Sequence, residues 1–171
     1  MIIPLDDARE INPEITQLEL DAYESQIRAL TNNNFNHKYI KVLNIGLTGN
    51  KIITPIELLG IKAGHTVEIF GTVFNNGLYV VTEVKPFELI VEADFTSEIA
   101  IRGGVVLVDY PSDLQVGLAQ VIAYKHKMAN KIGIKSESVA RMSTTYVDAN
   151  NVEGVPNSQW AFLDKYKKIR W

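Results

Sequence analysis

The strongest structural signal in the chain lies in residues 63–81, which read AGHTVEIFGTVFNNGLYVV. Two β-prone segments, Thr66–Phe74 and Leu78–Val84, flank Asn75-Asn76-Gly77. Asn-Gly between apolar segments is a strong hairpin signal, because both central residues of the tight turn need positive φ. We therefore predict two antiparallel strands joined by a turn.

The same pattern of short apolar segments, broken by glycine, asparagine and proline, extends from Tyr39 to Tyr110. The further predicted strands are Tyr39–Ile45, Lys51–Thr54, Phe87–Val91 and Val105–Asp109. Five or six short strands in so few residues favour a small closed antiparallel barrel, because closure leaves few strand edges exposed.

A helix is predicted before this region, from Pro13 to about Leu30, with Asn12 as its cap and Glu14 near the helix dipole. At about 100° per residue its apolar side chains form two stripes. One stripe contains Ile11, Ile15, Leu18, Ala22 and Ala29, and the other contains Leu20, Tyr23, Ile27 and Leu30. One stripe should cover the helical core, and the other should cover either the strands or a neighbouring subunit.

Two more helices are predicted after the strands. Ser112 and Gln115 have the spacing of a capping box, and Asn157 can cap a final helix that ends near Arg170. The predicted fold class is therefore α+β, a small bundle of three main helices interrupted by a β-barrel. The helical domain comprises residues 1–35 and 111–171, and the inserted barrel comprises residues 36–110.

The composition is that of a folded chain: 171 residues, 46% apolar and 22% charged, without cysteine. It excludes a disordered tail, a disulfide scaffold and any thiolate site. No apolar run approaches the ~20 residues that cross a membrane, so we expect a soluble intracellular protein.

Charge is unevenly distributed along the chain. Residues 1–35, 36–120 and 121–171 carry net charges of −5, −3 and +5. Basic residues cluster near two predicted helix ends: Lys125, Lys127, Lys131 and Lys135, and then Lys165, Lys167, Lys168 and Arg170. Cations at a helix C-terminus complement its dipole, and this interpretation is favoured over phosphate binding.

Catalytic and metal-binding patterns are not found in the sequence. The three histidines, His37, His65 and His126, lack metal-ligand spacing, and Asp6-Asp7 has no apparent catalytic partner. We therefore predict neither an enzyme nor a bound metal or cofactor.

Three features outside the strand region point to a family: a helix opening Pro-Ser-Asp-Leu at residues 111–114, a serine-rich arm from Ser136 to Tyr146, and Gly154-Val155-Pro156 followed by a terminal helix with Leu163 and Tyr166. Together they resemble the head–tail connector (adaptor, or head-completion) proteins of long-tailed bacteriophages. Residues 63–72, 75–81 and 89–91 resemble the SH3-like barrels found in phage structural proteins, with Gly64-His65 where relatives often have Gly-Asp.

The resemblance implies a virion structural protein of the neck that assembles in the host cytoplasm. It implies a ring, typically of about twelve copies, between the portal protein and a stopper or tail-completion protein. DNA would pass through the channel without specific binding, and no cofactor or membrane would be involved. The C-terminal region of the family commonly engages the portal, so the portal-binding candidates are Trp160, Phe162, Tyr166, Arg170 and Trp171. Each of the aromatic residues can equally belong to the core of its own subunit, together with Leu163.

Two more sets of candidates follow. The β-prone arm can pair with another chain or with itself, and its inter-subunit candidates are Val139, Arg141, Ser143, Thr145 and Val147. An acidic channel would not hold the phosphates of moving DNA, so the channel-facing candidates are Glu14, Glu19, Asp21 and Glu24. Alternatively, these acids pair with Lys125 or Lys127.

A second function remains open from the sequence. The chain could be a barrel-bearing binding module that recognises a peptide, a wall polymer or a nucleic acid. Such a module would keep the mass of a single chain, whereas a connector would form a ring, although connectors of this family can stay monomeric until they meet the portal.

Overall fold

The structure is a computed structural model that describes residues 1–129, 136–139, 142–145, 151–152 and 155–169. The chain is α+β and divides into two compact units. The β unit contains Met1 and Asn33–Tyr110, and the helical unit contains Ile2–Asn32 and Pro111–Trp171. The assignment of residues 36–110 as a separate inserted domain stays a prediction.

The β unit is an antiparallel sheet of four strands. These are β1 (Asn36–Ile53), β2 (Thr66–Phe70), β3 (Gly77–Lys85) and β4 (Glu88–Val108), in the order β1-β4-β2-β3, with a further pairing between β3 and β4. The alternating apolar side chains of the strands form a buried core that includes Ile45, Ile52, Val67, Ile69, Val81, Leu89 and Val105.

The closed barrel of five or six short strands is not confirmed, since the sheet is open and four-stranded. Tyr39–Ile45 and Lys51–Thr54 were predicted as separate strands, but they lie largely on the single strand β1. Register shifts in its pairing with β4, together with positive φ at Asn44 and Gly49, absorb the turn-forming residues without ending the strand. The two predicted strands Phe87–Val91 and Val105–Asp109 likewise lie largely on one strand, β4.

The hairpin predicted around Asn75-Asn76-Gly77 is present, but its turn is of another kind. β2 and β3 pair from Thr66↔Val80 to Ile69↔Gly77, so residues 71–76 form a six-residue loop. The positive φ in this loop belongs to Gly71, at 69°, and not to the asparagines. The asparagine side chains instead form hydrogen bonds that hold the loop.

The helical unit contains four helices among the described residues, where three main ones are predicted. They are α1 (Leu5–Ile11), α2 (Gln17–Thr31), α3 (Ser112–Met128) and a 3-10 helix, η1 (Asn157–Tyr166). Two short antiparallel pairs complete it: β5 (Ser136–Val139) with β6 (Met142–Thr145), and β7 (Asn151–Val152) with β8 (Val155–Pro156). No helix in the described ranges is long and apolar enough to cross a membrane.

The predicted helix start at Asn12-Pro13 is wrong. Helix α2 begins at Gln17, because Thr16 and Glu19 form a capping box, while the Asn12 side chain accepts a hydrogen bond from the Glu14 backbone N–H. Of the two predicted stripes, one has Leu20, Tyr23 and Ile27 buried and Leu30 37% exposed. In the other stripe Ile15, which precedes α2, is buried, whereas Leu18, Ala22 and Ala29 are exposed, so this face of α2 lacks a partner in the described chain.

Helix α3 begins where predicted, at Ser112, although the capping box with Gln115 does not form. Backbone N–H groups of Leu114 and Gln115 donate instead to the Pro111 carbonyl oxygen. The apolar stripe of the helix, Leu114, Leu118, Val121 and Ile122, is buried. Its last turn carries Lys125, His126 and Lys127, as the dipole argument predicts.

Candidate interaction site

The C-terminal helix η1 packs against α3 at a glycine. A Cβ atom placed on Gly117 would lie 2.5 Å from Phe162 Cδ2, well inside van der Waals contact. Gly117 is buried and the Phe162 ring is half-buried, so the missing side chain leaves the space that the ring occupies. The position of η1 on α3 therefore depends on this glycine.

A row of aromatic rings fixes the inner side of η1. The Trp160 ring centroid lies 6.4 Å from that of Phe162 and 6.5 Å from that of Tyr23 on α2. Lys125 Nζ lies 5.2 Å from the Tyr23 ring centroid, within cation–π distance. Trp160 is only 6% exposed, so in this conformation it packs within its own chain and does not offer a surface to a portal.

On the outer side, a polar latch of three residues joins η1 to the first turn of α3. Lys165 Nζ and the Tyr166 hydroxyl both donate to the Asp113 carboxylate. These two hydrogen bonds, Lys165 first, lower the pKa of Asp113. The hydrogen bond to Asp113 raises the pKa of Lys165. The pKa of Tyr166 is raised mainly by desolvation and secondly by its hydrogen bond to Asp113.

The chain beyond η1 is attached to the end of α2 through its backbone. The Lys168 N–H donates to the Thr31 carbonyl oxygen at 2.8 Å, and Asn32 Nδ2 donates to the Lys168 carbonyl oxygen at 3.4 Å. The side chains of Lys168 and Ile169 remain exposed, Ile169 by 74%. Of the remaining portal-binding candidates, Tyr166 is half-buried in the latch, and Arg170 and Trp171 lie outside the described residues.

The channel-facing candidates do not all lie at the surface. Glu14, Glu19 and Asp21 are exposed, and none of them forms an ion pair with Lys125 or Lys127. Glu24 is 4% exposed, and a buried carboxylate does not line a channel. Of the four channel-facing candidates, Glu14, Glu19 and Asp21 therefore lie at the surface and Glu24 does not.

The predicted arm pairs with itself. β5 and β6 form an antiparallel pair, with Ser138 opposite Ser143 and Val139 opposite Met142. Val139, Ser143 and Thr145 are thus on a hairpin, whereas Arg141 and Val147 lie outside the described residues.

The sequence patterns did not point to Gly117, Asp113, or the exposed apolar pair Val73 and Phe74 as parts of a site. The available signal for Gly117 was a glycine inside an otherwise regular helical pattern. The available signal for Val73 and Phe74 was a pair of apolar residues next to a polar turn.

Within the described parts of the chain, no group of three His, Asp or Glu side chains could hold a metal ion. In comparisons with known proteins, no family model matches the chain, and none of the curated proteins matches its sequence.

Proposed function

We propose that this chain is a structural subunit of a bacteriophage neck. It forms a ring that joins the portal to a stopper or tail-completion protein and surrounds the DNA channel. The observation that supports this most is the way the β unit is held at its two ends. The Asp109 N–H donates to the Phe35 carbonyl oxygen at 2.8 Å, and Asn36 pairs with Val108.

A small domain can be inserted into another fold when its first and last residues lie close together, because the two flanking segments of the helical subunit can then stay adjacent. The strand pairings of β4 support an SH3-like curvature of the sheet in the inserted β unit. Its first part pairs with β3 and its last part with β2, while β1 pairs with both parts.

The portal-docking surface in this proposal is formed by residues 168–171. Lys168 and Ile169 are exposed and precede Arg170 and Trp171, and aromatic and arginine side chains are favoured anchors at protein interfaces. Trp160, Phe162 and the Asp113 latch support this surface by positioning η1 from within the subunit.

The remaining candidates take two other roles. Glu14, Glu19 and Asp21 face the channel, where carboxylates keep DNA from adhering. The β5–β6 hairpin offers its outer strand edges to a neighbouring subunit, because a two-stranded sheet leaves one edge of each strand unpaired.

One observation favours the second candidate function, a binding module. The β unit has an open cavity of about 360 Å³, lined among others by His37, Lys38, Lys41 and Phe70. Lys41 Nζ lies 4.6 Å from the Phe70 ring centroid. Cations beside an aromatic ring suit an anionic polymer such as single-stranded nucleic acid.

Portal docking and DNA binding, measured separately, distinguish the two functions. The test variant is Lys168→Gln with Trp171→Ala, and the matched control is Lys62→Gln, which changes an exposed lysine of the β unit. We expect the test variant to weaken docking to the portal of the same virus by about tenfold or more, with DNA binding negligible throughout. Strong DNA binding by the parent that is lost in Lys38→Gln with Lys41→Gln, while no portal docking occurs, would favour the binding module.

A further inference from the structure

In the loop between β2 and β3, residues 71–76, the large apolar side chains are exposed and two polar residues are buried. Val73 and Phe74 are 75% and 72% exposed, whereas the polar Thr72 and Asn75 are 8% and 5% exposed. A surface loop normally directs its polar groups to water and covers its large apolar ones. We call Val73 and Phe74 the apolar knob.

Hydrogen bonds with polar side chains hold this loop in one shape. The Glu98 carboxylate accepts hydrogen bonds from the backbone N–H groups of Val73 at 2.7 Å and Phe74 at 3.4 Å, and from Asn75 Nδ2 at 3.1 Å. The Asn75 amide also pairs with both backbone groups of Thr96, as a neighbouring strand would. Because the loop is ordered before a partner arrives, docking the knob would lose little conformational entropy.

The backbone of Arg102, an exposed cationic residue, lies beside the base of the loop. Gly71, at the base of the loop, packs against Gly103, and a Cβ there would lie 3.2 Å from the Arg102 carbonyl oxygen. The Arg102 side chain is exposed and forms no ion pair with any described carboxylate. Ile99 and Ile101, 82% and 75% exposed, lie on the same stretch of β4.

The helical unit carries a groove with matching properties. It has a volume of about 230 Å³, lies between α1 and α3, and is lined by Ile2, Ile3, Ile11, Val116, Ala119 and Asp7 among others. Val116 is 57% exposed, and the exposed Asp7 forms no ion pair with a described residue. The groove is therefore apolar, with one unpaired carboxylate.

We propose that the knob of one copy of this chain docks into the groove of the next copy, with Arg102 of the first facing Asp7 of the second. The apolar side chains and the two unpaired charges are complementary. Knob and groove are different surfaces, so the contact is heterologous, and contacts of this type close into rings when the rotation allows. The inference rests on the proposed ring and adds a second contact between its subunits, besides the β5–β6 edges.

Cysteine crosslinking tests the contact directly, because the chain has no native cysteine. A disulfide forms only where two Cα atoms approach within about 7 Å. We expect Val73→Cys with Val116→Cys to give a ladder of covalent oligomers on mild oxidation. A mixture of the two single variants should give dimers. The matched control is Leu59→Cys with Val116→Cys, which places the first cysteine on another exposed apolar residue of the β unit and should give no ladder.

A charge exchange provides the second readout. Asp7→Arg and Arg102→Asp should each weaken self-association about tenfold, and the combined variant should recover most of the loss. A portal-bound ring without crosslinks above the Leu59 control would overturn the contact and leave the proposed function intact. A ladder without any portal-bound ring would support the contact and overturn the proposed function. Dimers of Val73→Cys alone would mean that two knobs face each other, which also overturns the contact.

Discussion

Phe162 occupies the space that a side chain on Gly117 would fill. A Cβ atom at Gly117 would lie within 2.6 Å of three ring carbons. The Phe162 ring can therefore pack this closely on α3 only if residue 117 has no side chain. Glycine in a helix interior is unfavourable relative to alanine by about 1 kcal/mol. The contact with Phe162 explains why glycine is nevertheless found here.

Gly117→Ala should destabilise the protein in spite of its better helix propensity. Overpacking typically destabilises by about 1–3 kcal/mol, against a propensity gain of about 1 kcal/mol. Because the Cβ atom would lie so close to the ring, we expect the overpacking to dominate, with a net loss of up to about 2 kcal/mol in the free energy of unfolding, measured by chemical denaturation. In a Phe162→Ala background the same change should stabilise the protein, since the ring is gone. Stabilisation by Gly117→Ala alone would show that η1 moves freely on α3.

The Asp113 latch should make stability depend on pH in acid. Hydrogen bonds from Lys165 and Tyr166 lower the pKa of Asp113 in the folded chain, so the latch stabilises fully above the unfolded-state pKa. This contribution is lost as the pH falls through the lowered folded-state pKa. Asp113→Asn should therefore reduce the melting temperature at neutral pH, and the difference from the parent should vanish in strong acid. Asp164→Asn, at an exposed i,i+3 pair with Lys167, is the control and should show a smaller effect. A difference for Asp113→Asn that is constant with pH would mean that the carboxylate charge plays no part.

Asn75→Ala should destabilise the β unit. The change leaves the N–H and C=O of Thr96 without the partners that the Asn75 amide supplies at 3.1 and 2.8 Å. Each of these two partly buried hydrogen bonds contributes about 0.5–1.5 kcal/mol, so together they contribute about 1–3 kcal/mol. We expect a loss in that range by denaturation, against less than about 0.5 kcal/mol for the exposed Asn50→Ala. Equal effects of the two changes would show that the loop does not depend on the Asn75 amide.

Replacing residues 36–110 with a short Gly/Ser linker should leave the helical unit folded. The entry and exit of the β unit are joined by the hydrogen bond from Asp109 to Phe35, so a short linker can span the gap. The shortened chain should keep the helical circular dichroism signal expected from α1, α2 and α3. Loss of that signal would mean that the helices need the β unit in order to fold.

The sequence predicted elements well where one local signal dominates. Helix α3 has a regular apolar stripe with basic residues at its end, and the hairpin around residues 71–76 lies between two β-prone segments. Prediction failed where two signals compete. Asn12-Pro13 and Thr16–Glu19 are both plausible helix starts, and only the reciprocal hydrogen bonds of the second pair decide between them.

The strand count was wrong for a related reason. Asn44 and Gly49 are turn-forming residues, and β1 accommodates them by positive φ and shifted register, which depend on pairing with β4 far along the chain. The site was predicted only in part, because a sequence does not show that Trp160 and Glu24 are buried. The Asp113 latch joins residues 52 and 53 positions apart, beyond the reach of local patterns.

The proposed ring can be seen by electron microscopy of the purified chain mixed with the portal protein of its virus. We expect a ring of about twelve copies coaxial with the portal, each copy with the 19.1 kDa mass of the chain. The ring should be lost in Lys168→Gln with Trp171→Ala and kept in Lys62→Gln. A portal that remains bare, with the chain still a single copy at every concentration, would rule out the connector function.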